Sequence, residues 1–343
     1  MTLLLNTLYI TTPESSLHKE GETVLVKVDR EKRLQVPLHH LQAIVVMTEG
    51  WVSPELQRAC LERNIILTFL SGRGRFLGRL EGIAASGAWL RRNQMEVHLD
   101  PARSLLIGKT IVKGKLANQR HVLQRAAREA EGEDAQNLAK AAERIHMIQR
   151  ELGRMVTIDQ ARGCEGDGAA RYFEVFPSLI RQQRDAFPWN GRNRRPPKDA
   201  LNALLSFAYT LLMGDCLAAC QAVGLDPAFA FLHAFRPGRP ALALDLMEAF
   251  RPLIADRLVL TLVNNQQVRP SDFIQTESGA VTMTDEVRKL VITTHQQRKA
   301  QTLRHPFLDQ EVPWGLVPVL EARLLARHLR GDMDEFPTFH PRG

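Results

Sequence analysis

The chain has 343 residues, enough for about two domains at roughly 150 residues each, and its hydrophobic (44%) and charged (24%) fractions are ordinary for a globular protein. That balance excludes a disordered chain or a fibrous repeat, and four scattered cysteines exclude a disulfide framework. Lys and Arg number 45 against 38 Asp and Glu, a bias that suits a polyanionic partner without identifying it.

Met1 to Ile10 is apolar, but no basic residue precedes the run and no small-residue cleavage site follows it, so it does not read as a secretory signal. The cytoplasm is the expected compartment. Val24, Val26 and Val28 alternate with other residues, Asp29–Arg33 supplies a turn, and Leu34-Gln35-Val36 resumes the alternation, which predicts a hairpin. Ala43–Met47 is suited to a buried strand. Ser53-Pro54-Glu55 opens a helix with a cap, a proline at the first position and an acid in the first turn. Ile65–Leu70 and Phe76–Leu80 read as strands around a Gly72–Gly74 turn. Residues 1–87 therefore form a small β-rich domain, nearly neutral with ten basic residues against nine acidic.

From residue 88 the period becomes helical. Ser104 to Ile148 carries long helical patterns with a break at Glu131–Asp134. Further helices are predicted over Gly168–Arg181, Asp199–Val223, a short stretch ending near His233, and Leu242–Asn264. A brief extended stretch at Val281–Thr284 precedes helices at Asp285–Thr302 and Val317–Leu329. The apolar run Leu201–Leu217 is interrupted by Asn202, Ser206, Thr210 and Asp215, which marks a core helix and not a membrane span. Cys216 and Cys220 stack on that helix as packing residues. The fold class is α+β: a β-rich amino-terminal domain, then a larger all-α domain over 88–343.

The excess positive charge lies in the second domain. Pro101–Arg128 holds seven basic residues and no acid, with Lys109, Lys113, Arg120 and Arg128 within about 100° on a helical wheel. Arg181–Lys198 holds six basic residues against Asp185, including Arg192, Arg194 and Arg195 in a Gly/Pro loop; Arg73 and Arg75 add a smaller patch. A single charge run is usually a solvated face. Two such tracts in one domain favour nucleic acid, whose phosphates are neutralised by Lys and Arg spread along a groove.

A phosphodiester partner directs attention to metal-holding side chains, and no Gly-rich nucleotide loop is present. His233 is read as ending an apolar helix just before a Pro/Gly turn. Asp245 and Glu248, three apart, share a helix face among Leu, Met and Phe, where carboxylates need a counter-charge or a metal. Glu165 is read in a glycine-rich turn opening a helix. Each has a plainer alternative: Glu248 pairs with Arg251, His233 caps a helix end, and Glu165 complements a helix dipole.

Together Glu165-Gly-Asp-Gly-Ala-Ala-Arg-Tyr-Phe, Arg194-Arg-Pro-Pro-Lys-Asp-Ala-Leu-Asn-Ala-Leu-Leu-Ser-Phe-Ala-Tyr209, Gly224-Leu-Asp-Pro through Phe-Leu-His233, and Leu244-Asp-Leu-Met-Glu-Ala-Phe-Arg-Pro252 resemble the CRISPR-associated core endonuclease/integrase family. Leu25-Val-Lys-Val through Ile44-Val-Val resembles its amino-terminal domain, and the wording is closest to type I members, plausibly subtype I-C. The resemblance implies a metal-dependent DNA endonuclease/integrase that inserts spacer DNA into a CRISPR array. It also implies a homodimer joined through the amino-terminal domain, a small companion adaptation protein, and double-stranded DNA partners (prespacer and repeat), with no membrane. The family's metal site carries onto Glu165, His233 and Glu248, holding Mg2+ or Mn2+, with Asp245 as a supporting acid. Many relatives have Asp at the position of Glu248, which leaves open whether Asp245 or Glu248 is the direct ligand. Lys109, Lys113, Arg120, Arg192, Arg194 and Arg195 would hold DNA. A stand-alone repair nuclease and a non-enzymatic architectural DNA-binding protein are the alternatives.

Overall fold

The structure is a computed structural model that describes residues 2–4, 7–10, 12–41, 43–46, 48–70, 76–80, 88–193 and 196–340. The predicted turn at Gly72–Gly74, Arg73, Arg75, Arg194 and Arg195 lie outside the described residues. The chain divides into two compact units, Met1–Ala85 with Ile292–Ala300, and Ser86–Val291 with Gln301–Gly343.

The first unit is built on two sheets, one whole helix and the helical segment Ile292–Ala300. Strands β1 (Thr2–Leu4), β2 (Thr7–Ile10), β6 (Ala43–Val46), β8 (Ile66–Leu70) and β9 (Phe76–Leu80) form a five-stranded sheet in the order β1-β2-β6-β8-β9. Its β2/β6 and β6/β8 pairs are parallel and its edge pairs antiparallel. The second sheet runs β5 (Glu31–Pro37), β4 (Thr23–Val28), β3 (Ser16–Glu20), β7 (Trp51–Val52). The predicted hairpin is the β4/β5 pair, whose two-residue turn puts Asp29 and Arg30 at φ 52° and 66°, a twist that matches the flanking strands. Helix α1 (Pro54–Glu62) starts as read, with the Ser53 side chain accepting from the Leu56 N–H. Leu17, Val24, Val26, Ile44, Val46, Leu56 and Leu67 join one buried core beneath both sheets and α1.

The second unit is mainly helical: α2 (Ala88–Leu99), α3 (Pro101–Glu129), α4 (Gly132–Leu152), α5 (Ile158–Glu174), α6 (Ala200–Val223), α7 (Ala241–Glu248), α8 (Arg257–Asn264), α9 (Asp285–Ala300, whose last nine residues belong to the first unit) and α10 (Val317–Arg330). Short hairpins β10/β11 (Phe273–Gln275, Val281–Met283) and β12/β13 (Thr302–Arg304, Glu311–Pro313) decorate it. Helix α3 packs on α4, α5 and α7, and α6 on α7, α8 and α10. Asp199 caps α6 and Gly224 ends it at φ 88°, as the sequence punctuation predicts. By length and composition α6 could cross a membrane, but its apolar window is 61% buried within the protein, and Cys216 and Cys220 lie buried on it.

Three expectations for this unit are corrected. The helix read from Gly168 starts ten residues earlier, because Thr157 and Gln160 form a reciprocal capping box. Glu165 therefore lies within a helix and not in a turn that opens one. The segment from Gly224 to Pro240 is irregular, so His233 sits on a bend and ends no helix. The helix read as Leu242–Asn264 is α7 and α8 joined through a wide π-helical turn, Arg251–Asp256, beginning next to Pro252, whose ring nitrogen cannot donate.

Gly168 matters for the packing of α5 on α3. A Cβ there would lie 2.2 Å from the Cδ2 of the fully buried Leu116. Gly168→Val is expected to destabilise the fold by about 1–3 kcal/mol through overpacking; an unchanged urea midpoint would contradict this close approach.

Candidate active site

Several segments of the second unit converge on one ammonium group that sequence reasoning missed. Lys115 on α3 is 5% exposed at its side chain; its Nζ pairs with a Glu165 carboxylate oxygen from α5 and lies 2.6 Å from Oε2 of Glu248 at the end of α7. Arg251, at the start of the π-helical turn, holds the other Glu248 oxygen at 3.0 Å. The ion pair between Glu248 and Arg251 weighed from the sequence is thus present, alongside a second one. Burial alone would raise the Glu248 carboxyl, but Arg251, Lys115 and His233 together outweigh it and hold the group down to about 2, so it is ionised at neutral pH.

Asp245 and His233 form the other half of the site. Asp245 is fully buried and accepts from the backbone N–H groups of Phe231 (2.7 Å), Leu232 (2.9 Å) and His233 (2.9 Å). Its Oδ1 also lies 2.7 Å from His233 Nδ1. The other ring nitrogen, Nε2, sits 3.7 Å from Glu248 Oε1, so the contact with Asp245 sets which edge of the ring faces Glu248. Asp245 is therefore saturated by four donors, whereas Glu248 faces the shared space.

The irregular segment that carries His233 is held in place from several directions. The buried Gln94 side chain donates to the carbonyls of Asp226 (2.8 Å) and Phe229 (2.7 Å) and accepts from the Asp226 N–H (2.9 Å). Arg162 of α5 donates to the Leu232 carbonyl at 2.6 Å. Such satisfied backbone groups let a loop without helical bonds stay buried.

Arg192 and Asn193, ahead of α6, fold around Asn202, Ser206 and Tyr209, which share one face of that helix. Buried Asn202 accepts from Arg192 and the Asn193 N–H and donates to the Gly191 carbonyl and Asp199. Tyr209 lies between two guanidinium groups, Arg192 at 5.3 Å and Arg251 at 4.8 Å from its ring centroid, and its hydroxyl donates to Asp256 at 2.6 Å.

Burial lifts the Asp256 carboxyl to about 6 from its ordinary 3.8. A group raised on folding gives its full stabilising share below about pH 4 and loses it as the pH climbs through about 6. Asp256→Asn is expected to stabilise the protein at pH 8 by up to about 3 kcal/mol and to change little at pH 4. Denaturant titration at both pH values measures it, and an equal loss at both would show that Asn fails to accept the Tyr209 hydrogen bond.

Of the other basic residues read from the sequence, Lys109 donates to the carbonyls of Gly153 (2.8 Å) and Met155 (2.9 Å) just past α4. Arg192 is engaged as above, Lys113 is exposed on α3, and Arg120 is half-buried. The structure thus brings His233, Asp245 and Glu248 together directly, and Glu165 to them through Lys115. As the side chains lie, no three His, Cys, Asp or Glu residues close around one point among the described residues. The donor set nevertheless fits a hard divalent cation: two carboxylates and an imidazole nitrogen face one space, and a positive group, the Lys115 ammonium, already sits between the carboxylates.

A family described as CRISPR associated protein Cas1 matches residues 8–297 of the chain. A protein named CRISPR-associated endonuclease Cas1 2 from Rhodospirillum rubrum is 48% identical, over 99% of both chains. CRISPR-associated endonuclease Cas1 1 from Moorella thermoacetica is 44% identical with the same coverage. In fold, the chain is similar to a Cas1 protein from Thermotoga maritima (TM-score 0.82, 22% identity, 98% of this chain and 100% of that one). It is equally similar to a casposase bound to its integration product (TM-score 0.83, 21% identity, 97% and 93%).

Proposed function

The chain belongs to the Cas1 family of CRISPR-associated endonucleases, and we propose that its DNA cutting and joining takes place at the centre formed by Glu165, His233 and Glu248. Its function is the cleavage of DNA and the integration of new spacer DNA into a CRISPR array, which in our reading depends on a divalent metal and takes place in the cytoplasm. The observation that carries the site is the convergence of Glu248, the Asp245-oriented His233 and, through Lys115, Glu165 on one space.

Glu165, Glu248 and the free nitrogen of His233 would hold Mg2+ or Mn2+. When bound, the ion lowers the pKa of the attacking hydroxyl and stabilises charge on the phosphorane oxygens. Asp245 fixes the imidazole so that Nε2 faces Glu248. Arg251 keeps Glu248 ionised and ready as an acceptor. In strand transfer, a 3′-hydroxyl of the incoming DNA forms a new phosphodiester as the bond to the target strand's 3′-oxygen breaks. The number of phosphodiesters is unchanged, so no nucleotide hydrolysis is required. Water in place of the hydroxyl gives cleavage.

Exposed Lys113 on α3 and, by sequence, Arg194 and Arg195 contribute to holding the DNA backbones. A small companion protein and a second copy of the chain complete the assembly. Solved structures named as complexes of Cas6-RT-Cas1 with Cas2 support the companion.

The test is strand transfer of a labelled prespacer into a repeat-bearing plasmid by the wild-type chain with its companion, with and without EDTA. Joined product that EDTA abolishes is the expected result. Absence of any Mn2+-dependent cleavage or joining would instead favour the architectural reading, for which the ion pairs of Lys115 and Arg251 are the supporting observation.

A further inference from the structure

The second unit contains another cationic site, in a cavity of about 410 Å3 between α3, α8 and the chain that follows the short 3-10 helix Phe176–Leu179. Its wall carries Arg125, Arg181, Arg257 and His121 against one acid, Glu129. Glu129 pairs with Arg125 at 3.2 Å and with Arg181 at 2.6 Å, so one carboxylate is shared by two guanidinium groups, both exposed at the rim. The half-buried Arg257 guanidinium has no hydrogen bond or ion pair among the described residues. The His121 ring is likewise without a hydrogen bond among them.

We propose that this cavity seats a phosphate group, with Arg257 as its main ligand and Arg125 and Arg181 at its rim. Three guanidinium groups facing one carboxylate leave a net charge of +2 in a partly enclosed space, an arrangement that is unfavourable until an anion enters. Guanidinium donors match the oxygens of phosphate in pairs. The imidazole of His121 is pushed below its ordinary pKa by burial and then by Arg257, Arg125 and Arg128, so it is kept neutral where further positive charge would add to the repulsion. The cavity exceeds the size of a lone phosphate, which suits a group attached to a larger body. If the chain cuts and joins DNA as proposed above, on which this identification rests, that body is a DNA backbone. Arg257 would then grip it six residues along the chain from Arg251 at the carboxylate centre.

Thermal melting in chloride and in inorganic phosphate at equal ionic strength tests the seat. The wild type is expected to gain several degrees in phosphate, Arg257→Lys part of that gain, and Arg257→Gln none. In chloride, Arg257→Gln should melt no lower than the wild type, since it removes an unpaired charge among arginines; this separates lost phosphate from lost folding. Labelled duplex DNA then identifies the source. In Arg257→Gln the slope of log affinity against log salt should flatten by about 1, uniformly across sequences. Loss of the phosphate gain with an unchanged slope keeps the seat but replaces the DNA backbone with a free phosphate or nucleotide. Equal gains in wild type and Arg257→Gln overturn it, whatever the cleavage assay shows. A wild-type chain that responds to phosphate through Arg257 but never cuts or joins DNA refutes the proposed function and leaves the seat standing.

Discussion

Changing His233→Ala will remove strand transfer and Mn2+-dependent cleavage together, by about a hundredfold or more, while the protein stays folded. The imidazole is the nitrogen donor of the proposed centre, and losing part of several kcal/mol of charge stabilisation lowers the rate tenfold for about every 1.4 kcal/mol. The fold tolerates the change because the ring is 22% exposed and Asp245 keeps its three backbone donors. The expected stability cost is that of one charge-assisted hydrogen bond, about 1.5–3 kcal/mol. Strand transfer into a repeat-bearing plasmid, measured beside a urea denaturation curve, checks both halves. Wild-type joining by the variant would sink the assignment of the centre.

Asp245→Ala should do the reverse, with its first effect on stability. It strands three buried N–H groups and frees His233 to rotate; at about 1–3 kcal/mol for each unsatisfied donor, the total is at least about 3 kcal/mol and enough to loosen the segment from Phe231 to His233. Asp245→Asn is the informative partner, because it keeps an acceptor oxygen but loses the charge. Its fold should survive, while Mn2+ affinity, followed by electron paramagnetic resonance, falls about 10–100-fold, the usual consequence of losing the group that orients a ligating histidine. If Asp245→Ala is as stable as the wild type, the four hydrogen bonds drawn to that carboxylate do not hold the segment. If Asp245→Asn binds Mn2+ normally, Asp245 does not position His233.

Local punctuation was readable wherever a residue satisfies its own neighbours. Ser53 and Asp199 start their helices and Gly224 ends α6 where the sequence says they should, and the hairpin turns at Asp29-Arg30, the head of the Asp29–Arg33 stretch read as its turn. The pairing of Asp245 with Glu248 was legible for the same reason, since a three-residue spacing sets both on one side of α7. Features held from a distance were not legible. The segment from Gly224 to Pro240 is apolar enough to resemble a helix, and side chains remote in sequence, Gln94 and Arg162 among them, hold its backbone in an irregular path together with Asp245.

Lys115 was read as one more cation in a basic tract, although a signal was present. It points about 120° away from Lys109 on a helical wheel, and Ile111, Val112, Asn118 and Gln119 around it are all buried. A lysine on the apolar side of a helix calls for an acid from another element. Arg192 differs from its reading in the opposite sense: beside a glycine and two prolines it suggests an open loop, yet its side chain folds back onto Asn202 and Tyr209.

The placement of Lys115 also bears on how the enzyme is supplied with its ion. Two acids drawn to one spot would ordinarily push apart, and a protein built that way would depend on a divalent ion to assemble. Here a tethered ammonium does that job, so the two carboxylates are held near each other by a charge the chain itself carries. If Glu165 and Glu248 hold a divalent ion as proposed, that ion would take a place the Lys115 ammonium already fills, so metal uptake would be an exchange of one cation for another.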